Sequence, residues 1–305
     1  MDKSIFYKQA DLLISVLPYM VQDTAFALHG GTAINFFIRN MPRISVDIDL
    51  TYLPIKSRDE TRKAISEQLE GIKEHISSRF SQVKVEEKKD APDNFITKLF
   101  IRKQSVLIKV EPNQVIRRSL FGCEEKDICK KAEEAFEKFV SIKILSFPGL
   151  YGSKICAALD RQHPRDIFDI MLLLENEGIT DNVRKAFIVY LISHNRPISE
   201  LLAPRFKDMR PVFEREFAGM ASVELDYEKL EHTRETLIKE INRKLTDEER
   251  EFLVSFKEVS PKWKLLGVEG AENLPAVKWK LANLMEMDSK KRKKAVDQLK
   301  RVIEK

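Results

Sequence analysis

Leu28-His29-Gly30-Gly31-Thr32 is followed, fifteen positions after Thr32, by Asp47-Ile48-Asp49-Leu50. Residues 25–28 are a short apolar run that stops on the glycine pair, the pattern of a strand feeding a turn. Residues 32–39 then carry helical spacing. Residues 45–53 alternate, with Val46, Ile48 and Leu50 on one face and Asp47, Asp49 and Thr51 on the other. Carboxylates at i and i+2 of a strand project from the same side. Left alone they repel and raise each other's pKa. A divalent cation resolves the repulsion, and Mg²⁺ favours one or two carboxylates combined with phosphate oxygens. The turn supplies the other half of such a site. Free N–H groups at the start of a helix hold phosphate, and the missing side chains of Gly30 and Gly31 let the backbone approach it. The Thr32 hydroxyl is placed to add one hydrogen bond.

Working outward, residues 8–20 have helical spacing, and 58–78 read as a helix with Asp59 and Glu60 in its first turn and Ile65, Leu69, Ile72 and Ile76 as its apolar stripe. Residues 82–87, 95–103 and 105–112 read as strands, the last two joined as a hairpin by a tight polar turn. Along the third of these, Val106, Ile108 and Val110 form one face, while Leu107, Lys109 and Glu111 form the other. Glu111 is therefore a third carboxylate available to a two-metal site, in which metals about 4 Å apart activate an attacking hydroxyl and stabilise a leaving group. Taken singly, Gly-Gly is usually a turn, and Asp-x-Asp or a lone Glu is usually a solvated face. Their order along the chain is what carries information.

From about residue 126 the pattern becomes helical, with predicted helices over 127–139, 148–160, 164–177, 181–194, 208–219, 226–244, 247–257, 276–286 and 289–304. The expected architecture is thus an α/β (α+β) domain over 1–145 with a small mixed sheet, then a helical domain over 146–305. The length of 305 residues agrees with about two domains. No apolar run approaches a membrane span. The N-terminal stretch, with Asp2 and Asp11 and no long apolar core, does not read as a signal peptide. Three cysteines without CxxC spacing and five scattered histidines give neither a disulfide framework nor a zinc signature, so reduced thiols in a cytoplasmic protein are expected. The net charge of +5 is mild, but Lys290-Lys291-Arg292-Lys293-Lys294 is an unbroken basic run. Such a run is most often a solvated helix end, and it permits a nucleic-acid partner.

The order strand, Gly-Gly-Thr, helix, Asp-x-Asp strand, hairpin carboxylate resembles the DNA polymerase β-type nucleotidyltransferase fold. The gap between the two motifs is a few residues longer than usual, and that departure resembles the AbiEii/AbiGii toxins of type IV toxin–antitoxin and phage-defence systems. The likeness runs through Gly30-Gly31-Thr32-Ala33 and Arg43-Ile44-Ser45-Val46-Asp47-Ile48-Asp49-Leu50. It continues in Gly152-Ser153-Lys154-Ile155-Cys156-Ala157-Ala158-Leu159, in Pro164-Arg165-Asp166-Ile167-Phe168-Asp169, and in Leu274-Pro275-Ala276-Val277-Lys278-Trp279-Lys280-Leu281.

The resemblance implies Mg²⁺-dependent (or Mn²⁺-dependent) transfer of a nucleoside monophosphate from an NTP to a hydroxyl. Asp47, Asp49 and Glu111 would be metal ligands. Gly30, Gly31, Thr32, Arg43, Ser45, Lys154, Arg165 and Asp169 would face the nucleotide, and Asp166 would join Lys154 in catalysis, in a cleft between the two domains. From the residues alone, Lys154 is suited to clamp a triphosphate as a point charge. Asp166 and Asp169 share a helix face, so one is available to orient Lys154, and Arg165 to pair with either. An ordinary salt-bridge cluster would look the same. The implied acceptor is RNA, the tRNA 3′ end foremost, and the implied partner a cognate antitoxin, with no membrane. A small-molecule (aminoglycoside-type) or protein-modifying nucleotidyltransferase, and a nucleotide-binding regulator without turnover, remain open alternatives.

Overall fold

In the computed structural model, the described residues are 3–113, 119–222 and 225–304, so Asp2 lies outside them. The chain divides into two compact units. One spans Met1–Ser146 and takes back Phe217–Glu224; the other spans Phe147–Glu216 and Leu225–Lys305.

The first unit is built on a mixed sheet, seven-stranded among the described residues. Helices α1 (Lys3–Val16) and α2 (Pro18–Val21) come first. The single helix expected over 8–20 is divided at Pro18, whose ring cannot continue the hydrogen-bond ladder. Then follow β1 (Phe26–His29), the single turn α3 (Gly30–Ala33), β2 (Asp47–Tyr52) and α4 (Arg58–Arg79). The meander β3 (Lys84–Lys89), β4 (Ile96–Lys103) and β5 (Val106–Pro112) is followed by β6 (Cys123–Asp127), α5 (Lys130–Phe136) and β7 (Ser141–Leu145). The spatial order is β3-β4-β5-β2-β1-β7-β6. Strand β2 lies antiparallel to β1 and parallel to β5, which puts it in the interior of the sheet.

α4 forms where the charge pattern predicts. Ser57 accepts from the Glu60 N–H and the Glu60 carboxylate accepts from the Ser57 N–H, a reciprocal cap. Its buried face is Thr61, Ile65, Leu69, Ile72 and Ile76, packed on β4. The segment 123–145 differs from the helical expectation, holding two strands around one short helix. β6 reads Cys-Glu-Glu-Lys-Asp and is an edge strand, so it needs no apolar face. β7 is short but buries Ile142, Ile144 and Leu145 beside β1.

The helix expected over 32–39 also changes character. After α3 the backbone widens into a π-turn over Ile34–Ile38, with the Arg39 N–H donating to the Ile34 carbonyl. The return segment of this unit then docks on the following loop: the Ile44 N–H donates to Met220, the Ser222 N–H donates to Pro42, and Arg43 bridges Ala221.

The second unit is helical among its described residues, as expected. Its members are α6 (Phe147–Arg161), α7 (Pro164–Glu175), α8 (Asp181–Ser193), α9 (Ile198–Leu202), α10 (Arg210–Val212), α11 (Tyr227–Lys244), α12 (Asp247–Lys257), α13 (Trp263–Leu266), α14 (Pro275–Glu286) and α15 (Ser289–Ile303). α6 packs on α7 and α8. A Cβ on Gly152 would lie 2.7 Å from both the Ala186 Cβ and the Phe187 N, so this glycine sets how closely α6 and α8 approach. Arg184 crosses to Glu249 with Nε 2.8 Å from the carboxylate, and that same glutamate closes the capping box of α12 with Thr246. α15 buries Val296, Leu299 and Ile303 and leaves Lys290, Lys291, Lys293 and Lys294 exposed. Among the described residues no helix is long and apolar enough to cross a membrane.

Candidate active site

Register alone assembles the carboxylates of the first unit. Asp49 stands opposite His29 on β1 and opposite Glu111 on β5, so three polar residues line up across three adjacent strands. Neighbouring strands lie about 4.8 Å apart. Asp47 is two residues from Asp49 on the same face of β2, and all three carboxylates are half-buried. Strand β2 presents this polar face while Ile48 and Leu50, on its other side, are fully buried.

The glycine turn is fitted to these residues. Gly30 has φ of +74°, a left-handed conformation, and a Cβ placed on it would come within 2.1 Å of the Asp49 carboxylate Oδ2. On Gly31 a Cβ would lie 2.7 Å from the Arg43 guanidinium Nη2 and 3.3 Å from the Ser45 hydroxyl. Asp49, Arg43 and Ser45 therefore converge on the two glycines, a cradle that any side chain would fill. Arg43 is buried, with Nη1 donating to the Ile44 carbonyl at 3.0 Å.

Thr32, expected beside the nucleotide, has its hydroxyl engaged within the chain. It is fully buried, and its hydroxyl donates to the Asp47 carbonyl at 2.5 Å while lying 2.9 Å from the Ser45 hydroxyl. The hydroxyl ties α3 to the start of β2 and so fixes where Asp47 begins.

Lys98 on β4 was not anticipated; its ammonium pairs with the Glu111 carboxylate. Its position was nevertheless legible. The β4–β5 hairpin pairs Lys103 with Val106 and Leu99 with Val110, and one further step back sets Lys98 beside Glu111. Lys109, which shares a face with Glu111, pairs across to Asp47 in register and is exposed.

In the second unit Lys154, Asp166 and Asp169 are buried together. The Lys154 ammonium lies 2.9 Å from Asp166 and 3.1 Å from Asp169, so both aspartates face one lysine. Arg161 supplies a further cation, with Nε 2.5 Å from Asp166 Oδ2 and Nη2 3.0 Å from Oδ1. Gln162, with φ of +52°, folds the chain between α6 and α7 so that Arg161 reaches back over Asp166. Burial alone would raise the Asp166 carboxyl, but Lys154 and Arg161 outweigh it and hold the group well below the usual carboxylate range. Arg165 is half-buried, and its N–H donates to His163 Nδ1 at 3.1 Å, capping α7. Burial, reinforced by Arg165, pushes the His163 imidazole down. A neutral ring accepting at Nδ1 carries its proton on Nε2, which faces Glu216 at 3.4 Å.

Among the described residues no three His, Cys, Asp or Glu side chains are gathered into a closed metal cage. The donor set still fits a Mg²⁺ site of the kind completed by substrate. Such sites take one or two carboxylates and leave the remaining positions to phosphate and water. Asp47 and Asp49 on one strand face, beside a glycine cradle at a helix start, match that requirement.

A family model described as "Nucleotidyl transferase AbiEii toxin, Type IV TA system" matches residues 11–283. The chain belongs to the AbiEii nucleotidyltransferase toxin family. It is accordingly a nucleotidyltransferase, and the type IV toxin–antitoxin family implies a nucleotide substrate and an antitoxin partner. Among solved structures this AbiEii-family chain is similar to MenT4, a nucleotidyltransferase toxin from Mycobacterium tuberculosis H37Rv. The two are 14% identical, with 93% of this chain and 99% of that chain covered at a TM-score of 0.60. At that identity the likeness speaks for the fold. No curated protein matches in sequence.

Proposed function

We propose that this AbiEii-family toxin transfers a nucleoside monophosphate from an NTP to an RNA hydroxyl, with the tRNA 3′ end as the leading acceptor and growth arrest as the result. The reading places the reaction in the cytoplasm, where both substrates are found. The observation that carries it is the row of Asp49 and Glu111 on adjacent strands, with Asp47 on the same face and Gly30 open against Asp49.

Asp47 and Asp49 would hold a divalent cation, Mg²⁺ or Mn²⁺, with Glu111 next in the row. When bound, the cation supplies charge neutralisation to the triphosphate and polarises the reacting oxygens. The chain's own groups do the rest. Backbone N–H groups at Gly30 and Gly31 hold phosphate oxygens at the helix start. Arg43, held over Gly31, and Ser45 beside it set the cradle's polarity. The acceptor oxygen attacks the α-phosphorus, a P–O ester forms, the α–β anhydride bond breaks, and pyrophosphate leaves with the bonding electrons. The acceptor proton passes to a carboxylate of the row, with Glu111 the proposed recipient, and Lys98 moderates that carboxylate's charge. For the second unit the proposed role is charge-setting: Lys154, fixed by Asp166 and Asp169, contributes to triphosphate binding, with Arg165 nearby. In reactions of this type the protein contributes mostly positioning and electrostatics.

The test is incubation with each α-labelled NTP, Mg²⁺ and total tRNA, comparing the natural chain with Asp49→Ala. Label should enter RNA with the natural chain and vanish with the variant. Label found instead in protein or in an added aminoglycoside would sink the RNA reading. NTP binding without pyrophosphate release would replace it with a regulator.

A further inference from the structure

The segment after α9, residues 203–209, has no regular structure and is nonetheless fixed to the α6–α7 corner by buried polar groups. Gln162, buried, donates from Nε2 to the Arg205 carbonyl at 2.8 Å and accepts from the Lys207 N–H at 3.0 Å. Arg234 on α11, also buried, donates from Nη1 to the Lys207 carbonyl at 2.7 Å and to Gln162 Oε1 at 3.1 Å. Its Nε is buried without a hydrogen-bond partner among the described residues. Over this guanidinium lies the Phe206 ring, its centroid 4.3 Å from Arg234 Cζ. Phe206 remains 53% exposed, so one face rests on the cation and the ring still presents open surface.

A second stack is built in the opposite sense, with an exposed guanidinium on a buried ring. The Arg210 guanidinium lies 4.1 Å from the Tyr227 ring centroid and is held by Glu228 at 3.1 Å. Tyr227 and Arg234 are seven residues apart on α11, about 10 Å along its axis. Exposed cations flank Phe206 on either side in the chain, Arg205 and Lys207, with Lys207 Nζ steadied by the Asp160 carbonyl at 2.8 Å, while the Arg210 stack has Glu228 and Glu214 beside it.

A single exposed phenylalanine needs no explanation. A rigid aromatic plane backed by a buried guanidinium, flanked by cations and followed by a second stacked plane, has the chemistry of a single-strand nucleic-acid platform. Aromatic rings and guanidinium planes stack on unpaired bases, while lysine and arginine follow the phosphates. An acidic peptide would use the cations and leave the ring idle. A free mononucleotide would leave the second plane idle.

We propose that residues 203–210 dock the unpaired end of the RNA acceptor. One base stacks on Phe206, Arg205 and Lys207 hold the adjoining phosphates, and Arg210 offers the second plane. This deepens the RNA-acceptor reading and rests on it.

The test uses the full chain and a fluorescent single-stranded oligoribonucleotide of about eight nucleotides, with a blunt RNA duplex as comparison. Phe206→Ala should weaken single-strand binding about 5- to 100-fold and raise KM for RNA at unchanged kcat. Phe206→Leu, which still covers Arg234 and should melt with the natural chain, should bind as poorly, while Phe206→Trp should retain affinity. Arg205→Ala should reduce the slope of log K against log salt by about 0.7. Unchanged binding in both Phe206→Ala and Phe206→Leu, or equal binding of the duplex, overturns the platform. If RNA is labelled while the Phe206→Ala KM is normal, the platform fails and the acceptor assignment stands. If single-strand binding depends on Phe206 but no RNA is labelled, the platform stands and the acceptor assignment fails. If the natural chain neither binds nor labels RNA, both fall.

Discussion

At the scale of single residues, Gly30 carries the sharpest constraint. Alanine there must adopt a left-handed backbone, costing about 1–2 kcal/mol, and its Cβ would collide with Asp49 Oδ2. Gly30→Ala should therefore lower the melting temperature modestly and reduce pyrophosphate release about 100-fold, the scale expected when a reacting group moves by about 1 Å. Release at the natural rate would remove Asp49 from the chemistry. Asp166 makes a different kind of prediction, because its folded carboxyl titrates below the unfolded value of about 3.9. Its stabilisation is complete above that value and is lost as pH falls below about 4. Asp166→Asn leaves Lys154 and Arg161 short of a counter-charge, a loss on the order of 3 kcal/mol at neutral pH. Urea unfolding should show this gap at pH 7 and a narrower one at pH 3. A gap independent of pH would mean the carboxylate's charge contributes nothing. Lys98 shows why part of the site stays hidden from residue-by-residue reading: nothing in its own neighbourhood marks it, and only the hairpin register brings it to Glu111.

At the scale of elements, legibility follows burial pattern. β2 was plain because it alternates, and α4 because cap, dipole and stripe agree. The Asp-x-Asp strand and the hairpin glutamate were readable for the same reason, since their faces differ in polarity. β6 carries no apolar signal because an edge strand needs none, and β7 offers only five residues between helical patterns. The π-turn after α3 was unreadable because its wider ring of hydrogen bonds leaves no mark on apolar spacing. A hydroxyl after two glycines suits a phosphate, and the sequence alone does not show that the return of β2 also brings the Asp47 carbonyl within reach of Thr32. Gly152 belongs to a motif that also contains Lys154, but its own part is in packing. In Gly152→Ala the gain in helix propensity, about 1 kcal/mol, is outweighed by overpacking against Ala186 and the Phe187 backbone, typically about 1–3 kcal/mol. The melting temperature should fall. A rise would show that α6 and α8 separate without cost.

At the scale of the whole molecule, the chain does not divide at a single cut. The first unit reclaims Phe217–Glu224 after the chain has built half of the second. Its hold is local and specific: Ser222 donates both its N–H and its hydroxyl to the Pro42 carbonyl at 2.9 Å, and the Ile44 N–H donates to Met220 at 2.9 Å. Ser222→Pro removes both Ser222 donors. Losing about 1–1.5 kcal/mol of hydrogen bonding should speed hydrogen exchange at the Ile44 amide about tenfold and lower nucleotide transfer, while amides of α6 and α8 keep their protection. Unchanged exchange at Ile44 would show that the loop stands without the return segment. The net charge of +5 also gains meaning at this scale, since it sums a carboxylate row on the sheet with a cationic loop at 203–210 and a basic run on α15.

The return segment has a consequence in time as well as in space. A ribosome makes the chain from the amino end, so Asp47, Asp49 and Glu111 are translated long before residues 220–222, which brace the loop bearing Arg43 and Ser45. Until those later residues emerge, the loop beside the glycine cradle lacks its partners. In the nascent toxin that loop thus waits for its partners until residue 222 has been made, a delay written into the order of its sequence.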